Sequence, residues 1–565
     1  MEISELTIIG KRKAAIEAGI AEALAKAADA GELSFARIPD FIVEVPRDPD
    51  HGEFATNAAM LLAKEAKCPP RSIAAQIIKY FSTGTGGVDS LEVAGPGFIN
   101  FRMKKDWLAL CLKEILAEGD TFGSSSFGKG QKIQVEFVSA NPTGELHIGN
   151  ARGAAIGDTL SSLLQMAGYE VQREFYINDA GNQIEKFGYS LEARYLQALG
   201  EDVPFPEDGY HGEDVRTAMA ELAEEVKDKY QAMESPLRRE LLTSWALKKK
   251  ISSIHDALEK FGVNYDVWFS EQTLHDSGAI VEIVEKMQKE GWVYEKDDAL
   301  WLDCRRFGEE KDEVLVRSNG IPTYFAADIA YHDNKFKRGF DTVIDIWGAD
   351  HHGHVARMKG AMEALGYSRD QLEVILMQFV RLYEGGELLR MSKRTGTYVT
   401  LEELVEEVGC DAARFFFVNR SADSLIDFDM DLAKSQSADN PVFYVQYAHA
   451  RICSILANAQ KEGYHLPHLD KMDLSCLQDP SELALIRRMA DFPDEVARAA
   501  MLREPHHIAS YVQEMASTFH HFYSQCRVLG EAPELTFARL WLARGVATIL
   551  ERALAVMGVD APEKM

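Results

Sequence analysis

Ser139-Ala140-Asn141-Pro142-Thr143-Gly144-Glu145-Leu146-His147-Ile148-Gly149-Asn150 follows the apolar run Val135-Glu136-Phe137-Val138 and precedes a long Ala/Leu-rich stretch. The spacing predicts a strand, a tight Asn-Pro/Thr-Gly turn, and a helix whose first turn carries His147 and Gly149. Such a junction aims unpaired backbone N–H groups and the positive end of the helix dipole at one point, where phosphate is the usual guest. A His at that point can hydrogen-bond phosphate oxygens, and a glycine lets a flat base approach the backbone. The plain alternative is a strand–helix connection with a solvated His. The Ala-Asn-Pro-Thr-Gly lead-in weighs against it.

Working outward, the helix runs from Gly149 to about Gly168, and the next strand ends in Tyr176-Ile177-Asn178-Asp179-Ala180-Gly181-Asn182-Gln183. Strand, helix, strand over this length is a βαβ unit and predicts a parallel, doubly wound sheet. From about 184 to 262 the pattern is helical and highly charged, as in an insertion or solvated helical hairpins. Strand material returns at Val314–Val316 and Tyr324, and again at Thr342–Trp347. The latter leads into Gly348-Ala349-Asp350-His351-His352, a junction where nucleotides sit in open α/β sheets. A strand over Val374–Leu382 is expected to hairpin through Gly385-Gly386 into Leu388-Leu389-Arg390-Met391-Ser392-Lys393-Arg394-Thr395-Gly396. From about Asn440 the chain reads as a separate helical bundle. Before the sheet, Ala-rich helices are expected at 11–29 and 53–66, with a Gly95-Pro96-Gly97 turn ahead of the strand Phe98-Ile99-Asn100-Phe101. The Gly/Ser-rich stretch 119–126 reads as a linker.

A length of 565 residues suits three or four domains. Hydrophobic content of 46% and charged content of 27% describe an ordinary globular chain without a membrane-spanning run or secretion signal. The seven cysteines (68, 111, 304, 410, 453, 476, 526) are scattered with no Cys-x-x-Cys, which predicts a reducing, cytoplasmic setting and no structural zinc. A net charge of −28 argues on average against nucleic acid, although a large acidic protein can still present one basic face.

The segment Arg390-Met391-Ser392-Lys393-Arg394-Thr395-Gly396 puts cations on a short polar loop behind a strand. Such a loop suits a leaving pyrophosphate, whose negative charge grows as the α–β phosphate bond breaks. Together with the His147 turn, in this order, it resembles the HIGH and KMSKS motifs of class I aminoacyl-tRNA synthetases, and within them the arginyl-tRNA synthetase family. Ala140 to Asn150 resembles the family's extended HIGH region, and Asn178-Asp179-Ala180-Gly181-Asn182-Gln183 its next block. Asp439-Asn440-Pro441 with Tyr444-Val445-Gln446-Tyr447-Ala448-His449-Ala450-Arg451 resembles the start of its anticodon-binding domain, and the ending Ala561-Pro562-Glu563-Lys564-Met565 is similar to the family's. Two positions depart from the pattern: Asn150 stands for the second His of HIGH, and Arg390 for the first Lys of KMSKS. Lys393 keeps the second-Lys position.

The resemblance implies an α/β Rossmann-type catalytic domain over 130–385 with a helical insertion (about 184–262). It implies an N-terminal α+β tRNA-binding domain over 1–119, a connection over 386–438 with the KMSKS-like loop, and an all-α anticodon-binding bundle over 439–565. It implies ATP with Mg2+, L-arginine and tRNA(Arg) as substrates, a monomer, and arginyl-adenylate as the intermediate. His147, Asn150, Lys393 and Arg394 become the expected catalytic residues. Ala140, Asn141, Pro142, Thr143, Gly144, Glu145, Leu146, Ile148, Gly149, Asp350, Met391 and Ser392 join them around ATP, with Gly149 under the adenine. Glu136, Ser139, Asn141, Tyr324 and Asp328 are expected around arginine, because a guanidinium calls for planar carboxylate acceptors. If 324–328 is helical, Tyr324 and Asp328 share a face. Tyr444, Tyr447, Arg451, Trp541 and Met565 are expected to meet anticodon bases, and Phe98 and Asn100 the tRNA elbow. The pairs His506-His507 and His520-His521 read as helix histidines before metal ligands. A cysteine- or glutamate-specific synthetase, a small nucleotidyltransferase and a non-catalytic tRNA-binding paralogue are the competing readings. The absence of zinc-ligand clusters weighs against cysteine, the two acidic pocket candidates against glutamate, the helical C-terminal domain against a nucleotidyltransferase, and the retained motif residues against the paralogue.

Overall fold

A computed structural model describes residues 7–46, 48, 51–104, 106–389 and 398–565. At its centre five strands lie parallel in the order Leu372–Met377, Thr342–Gly348, Lys132–Glu136, Glu170–Ile177, Val267–Ser270. The strands are short and rich in buried aliphatic residues because helices cover both faces. Alternation along Thr342–Gly348 shows this: Ile344 and Ile346 enter the core shared with the helix Ile148–Met166. Val343 enters the opposite core, with Ile329, Ala330 and Met358. The first strand sits where the chain order reverses, since its helix leads to Glu170–Ile177 on one side while Thr342–Gly348 returns on the other. That switch point is the standard place for a ligand crevice. Helix Ile148–Met166 approaches the sheet closely enough that a Cβ on Gly157 would lie 2.2 Å from the Phe137 ring, so glycine is required there.

The insertion consists of helices Asn182–Ala198, Glu213–Val226 and Ser235–Lys260 around their own core of Phe187, Leu191, Tyr195, Met219, Leu222 and Leu242. Charge on their outer faces is what the sequence displays. The N-terminal portion stacks helices Ile8–Asp29 and Pro70–Tyr80 on a four-stranded antiparallel sheet, Val43–Glu44, Phe54–Thr56, Phe98–Met103, Val88–Ala94. The helix expected at 53–66 begins only at Ala58. Phe54-Ala55-Thr56 is a buried strand, with Phe54 opposite Phe101. The helical bundle comprises Pro441–Lys461, Pro480–Ala490, Phe492–Leu502, His506–Gln525 and Pro533–Val556. Its first helix is capped by Asn440, whose carbonyl oxygen accepts from Val442 N–H (3.2 Å) while its amide donates to the carbonyls of Ala433 and Ser435 (3.1 and 2.8 Å).

Two further expectations change. Tyr324 is not strand: it starts the helix Tyr324–Lys337, while Glu313–Val316 belongs to a small antiparallel sheet with Ala299–Leu302 and Val293–Lys296. The run 374–382 is two strands rather than one. Leu372–Met377 closes the parallel sheet, and after Gln378-Phe379 a new strand, Val380–Glu384, pairs with Glu387–Leu389 and Ile426–Asp429. The fold class itself, an α/β sheet domain between an α+β module and an all-α bundle, stands as expected.

Candidate active site

The strand Lys132–Glu136 ends in an unusual turn. Ser139 N–H donates to Phe137 C=O (3.0 Å) across Val138, whose φ is +71°, and Ser139 follows at +41°. A β-branched residue at positive φ is a strained choice, of the kind that persists where surrounding structure over-determines the backbone. Eight residues on, His147 caps the helix Ile148–Met166. Its Nδ1 accepts from Gly149 N–H (3.0 Å), and its own N–H donates to Asn150 Oδ1 (3.0 Å). This reciprocal cap fixes the imidazole's proton on Nε2, the nitrogen left free to donate. His147 is exposed to the crevice, and the desolvation it does suffer pulls its imidazole below the ordinary range. It is therefore a neutral donor at neutral pH.

The cap also gives two of the expected ATP-site residues a structural duty. Asn150 spends its carbonyl oxygen on the His147 backbone, so its first duty is to hold the turn, with Nδ2 left over as a donor. A Cβ on Gly149 would lie 2.9 Å from His147 Cε1, so the cap alone already accounts for the glycine.

His147, Ile148, Gly149, Asn150 and Asp350 line a cavity of about 700 Å³. Residues 390–397, with Arg390, Met391, Ser392, Lys393 and Arg394, lie outside the described residues. The chain on either side of them borders the cavity through Leu388, Leu389, Tyr398 and Val399. Just beyond, it is pinned to the His147 turn: Leu401 N–H donates to Leu146 C=O (2.8 Å), and Thr400 bridges to His147. The described residues flanking the second motif thus border the crevice that the His147 turn lines. Thr143, Gly144 and Glu145 face a second cavity of about 720 Å³ against the insertion, which joins the first at His147 and Tyr398. Leu146 and Pro142 are buried, and Ala140 packs on the core, so these three can offer only backbone to a ligand.

Beside the crevice, Tyr324 and Asp328 share a helix face, as expected. Asp328 Oδ2 meets His354 Nε2 at 3.1 Å. They are joined by Glu271, which the sequence reading missed. Glu271 follows the edge strand Val267–Ser270, its N–H bonded to Ile177 C=O (3.0 Å), and it is 3% exposed. Its Oε2, the Tyr176 hydroxyl and Asn178 Oδ1 are buried with no hydrogen-bond partner of proper geometry, although Tyr176 lies close enough to influence the Glu271 carboxyl. Glu271 Oε1 faces His275 Nε2 at 3.4 Å, and burial, helped by repulsion from Asp328 and opposed by Tyr176 and His275, pushes that carboxyl above the ordinary glutamate range. Burial raises the Tyr324 hydroxyl above its ordinary value, with Glu271 and Asp328 within electrostatic reach and Asn178 beside it. Buried acceptors left without a partner at Glu271 Oε2 and Asn178 Oδ1, with the Asp328 carboxylate in electrostatic reach, are what a planar cation would satisfy.

Glu136 is not free to do this. Its Oε2 pairs with the fully buried Lys335, and its Oε1 accepts from Ser139 Oγ (2.7 Å). Lys335 also donates to Asp345 (2.7 Å), which accepts from His332 Nε2 (2.7 Å), while His332 Nδ1 faces Asp328 C=O (2.7 Å). Against the cost of burial, Lys335 and His332 hold Asp345 far below the usual carboxylate range, whereas burial leaves Glu136 raised. Glu136 is thus committed to a buried ion network that fixes the helix carrying Tyr324 and Asp328, whereas Glu271 is a second carboxylate in reach of Tyr324. Lys335, seven residues after Asp328 on the same face, was the overlooked signal. Asn141 Nδ2 donates to Gln183 Oε1 (2.9 Å), keeping its Oδ1 available. Ser139 Oγ is occupied by Glu136 and Tyr176 N–H (3.2 Å).

In the bundle, Tyr444, Tyr447 and Arg451 do come together, joined by His520 and Tyr523 around a cavity of about 390 Å³. The Arg451 guanidinium lies 5.3 Å over Tyr447 and 4.8 Å over Tyr523, both partly exposed. Met565 borders an adjoining cavity with Asn440 and Phe443. Trp541 is elsewhere, its Nε1–H donated to Pro467 C=O (3.2 Å), and leaves the set. Asn100 is buried in the N-terminal sheet, and Phe98 is partly exposed at the strand's start. His506, His507 and Glu504 lie close together, with His507 Nε2 2.8 Å from Glu504.

Three family models match the chain: Arginyl tRNA synthetase N terminal domain over 14–103, tRNA synthetases class I (R), catalytic domain, over 111–451, and DALR anticodon binding domain over 445–565. Among curated relatives, the arginine–tRNA ligase of Moorella thermoacetica is 57% identical over 560 residues, 99% of this chain and 100% of that protein. That of Heliobacterium modesticaldum is 59% identical over 554 residues, 97% and 98%. The Thermus thermophilus arginyl-tRNA synthetase structure superposes with a TM-score of 0.72 at 23% identity, covering 98% of this chain and 100% of that one, a likeness of fold.

Proposed function

The chain belongs to the arginyl-tRNA synthetases, and on that premise we propose how its residues divide the work of joining arginine to tRNA. The arginine carboxylate attacks the α-phosphorus of ATP, pyrophosphate leaves, and the adenylate then acylates the 3′-terminal ribose of tRNA(Arg). Positioning and charge stabilisation carry both steps.

ATP occupies the 700 Å³ cavity, a size usual for such ligands. His147 donates from Nε2 to its phosphates, the helix N-terminus adds its dipole, and Asn150 holds the turn. Lys393, with Arg394 in support, takes the charge of the departing pyrophosphate. Mg2+ arrives with the phosphates. Asp350 is the one carboxylate among the described residues that line the cavity. Glu271 and Asp328 receive the guanidinium, with Tyr324 and Tyr176 beside it, and Asn141 Oδ1 takes the α-amino group. Two carboxylates reject neutral side chains, and a planar acceptor pair disfavours lysine. The observation that carries this reading is the trio of buried, unpartnered acceptors and hydroxyl at Glu271, Asn178 and Tyr176 next to the His147 crevice.

Residues 439–565 hold the anticodon through stacking on Tyr444, Tyr447 and the Arg451 plane, with Met565 adjoining. Residues 1–119 grip the tRNA body, 130–385 perform the chemistry, and 386–438 join the two. The enzyme acts as a cytoplasmic monomer without zinc. Charging of tRNA(Arg) tests the pocket: Asp328→Ala should raise the arginine KM steeply or abolish charging. Unchanged kinetics would remove Asp328 from the site.

A further inference from the structure

Arg152 lies one turn into the helix that His147 caps, and its side chain is wholly buried. It has no carboxylate within ion-pairing distance among the described residues. Burial brings its guanidinium down to about 10, with Asp423 the only counter-charge it feels. Leaving a cation in the interior without an ion pair is costly. What Arg152 does make is two bonds to backbone: Nη1 donates to Gln378 C=O (2.7 Å) and Nη2 to Ser421 C=O (2.8 Å), while Nε has no partner.

Those two carbonyls mark a joint. Gln378-Phe379 is where the chain leaves the parallel sheet at Met377 and enters the hairpin Val380–Glu384/Glu387–Leu389, which leads directly into residues 390–397. The facing loop is tied across the same joint, since Gln378 N–H donates to Ala422 C=O (2.9 Å) and Ile426 N–H to Phe379 C=O (3.3 Å). Met377 also touches the helix beside Gly153, 3.6 Å from where a Cβ would stand. One planar guanidinium thus spans helix, hinge and loop, a geometry a lysine cannot reproduce.

We propose that Arg152 is a positioning residue that sets the distance between two walls of the ATP cavity, the His147 turn and the hairpin Val380–Glu384/Glu387–Leu389. The proposal rests on the reading of that cavity as the ATP site. The groups around arginine, Glu271, Asp328 and Tyr324, touch neither carbonyl, so arginine binding is independent of the clamp.

The test is arginine-dependent ATP–pyrophosphate exchange by the full-length enzyme with tRNA(Arg), comparing wild type, Arg152→Met and Arg152→Lys. Both variants should lose on the order of 100-fold, the cost of a displacement of about 1 Å between reacting groups. The loss should fall on kcat and on the KM for ATP, with the KM for arginine unchanged. Exchange near the wild-type rate in both variants overturns the proposal, as does an arginine KM that rises in step with the lost kcat. If Arg152→Met does not fold, Arg152→Lys decides alone. His147→Ala run in parallel separates the premises: if it leaves exchange intact, the ATP-site reading fails, whereas a failed clamp leaves the His147 effect in place.

Discussion

Replacing Glu271 by Gln sets two effects of opposite sign against each other. With arginine bound, the carboxylate supplies one charge-assisted acceptor to the guanidinium while Asp328 supplies the other. Losing the charge but keeping the shape removes about 1.5–3 kcal/mol. At 1.36 kcal/mol per decade this is about a 10- to 150-fold rise in the arginine KM. Without arginine, the carboxylate is a liability: it is 3% exposed, its Oε2 is unpartnered, and burial has raised it above the ordinary glutamate range. A group whose folded value is raised binds its proton more tightly folded than unfolded, so stability falls as pH climbs out of the ordinary glutamate range. A neutral amide escapes that loss, and the free variant should melt no lower than wild type at pH 7. Its advantage should shrink as the pH is lowered into the glutamate range. The measurements are exchange kinetics in arginine at saturating ATP and tRNA, and melting of the free enzyme at pH 7 and pH 4.5. An unchanged arginine KM, or a drop in melting temperature matching the lost affinity, refutes the reasoning.

Asn150→Ala removes the acceptor for the His147 N–H and should cost about 1 kcal/mol of stability, read by thermal melting, together with lower exchange kcat from a loosened imidazole. An intact melting temperature would mean the cap is not formed. Partial burial lowers the His147 imidazole, so its stabilising contribution is full above about pH 6.5 and is lost as pH falls below that toward the lowered folded value. Stability profiles of wild type and His147→Gln should converge toward pH 5, and a parallel offset at every pH would contradict this. His147→Ala should reduce exchange kcat by about 100-fold, the usual cost of losing one donor to a developing oxyanion. Tyr447→Ala and Arg451→Ala should each raise the KM for tRNA by about 10- to 100-fold, since a stacked base contributes about 1–3 kcal/mol. At saturating tRNA their arginine kinetics should match wild type.

The parts of the site that were legible in the sequence are those whose signals are local. A strand, a Pro/Gly turn and a capped helix occupy one continuous stretch, 132–166, and their chemistry follows from backbone geometry alone. Tyr324 and Asp328 were readable as one face of one helix turn. Glu271 was not, because it reaches Asp328 only through the order of the sheet: the edge strand Val267–Ser270 must lie beside Glu170–Ile177 before residue 271 points anywhere useful. Glu136 misled for the same reason, since its partner Lys335 stands 199 residues later. The apolar run 374–382 carries no breaker, and the bend at Gln378 comes from the tertiary bonds that Arg152 and Ala422 make to it. Asn150 was read by motif position as a ligand to phosphate, whereas its nearest unsatisfied group is the backbone N–H three residues back. Trp541 shows the converse hazard: an aromatic on a helix becomes part of a recognition surface only if its polar edge is not already spent.

The most direct measurement is ATP–pyrophosphate exchange by the wild-type enzyme with arginine, lysine and citrulline, each with and without tRNA(Arg). A pocket of two carboxylates at Glu271 and Asp328 demands exchange with arginine and tRNA present, and background with lysine or with citrulline, the neutral isostere. Exchange driven as well by citrulline or lysine, or absent with arginine and tRNA together, would contradict it.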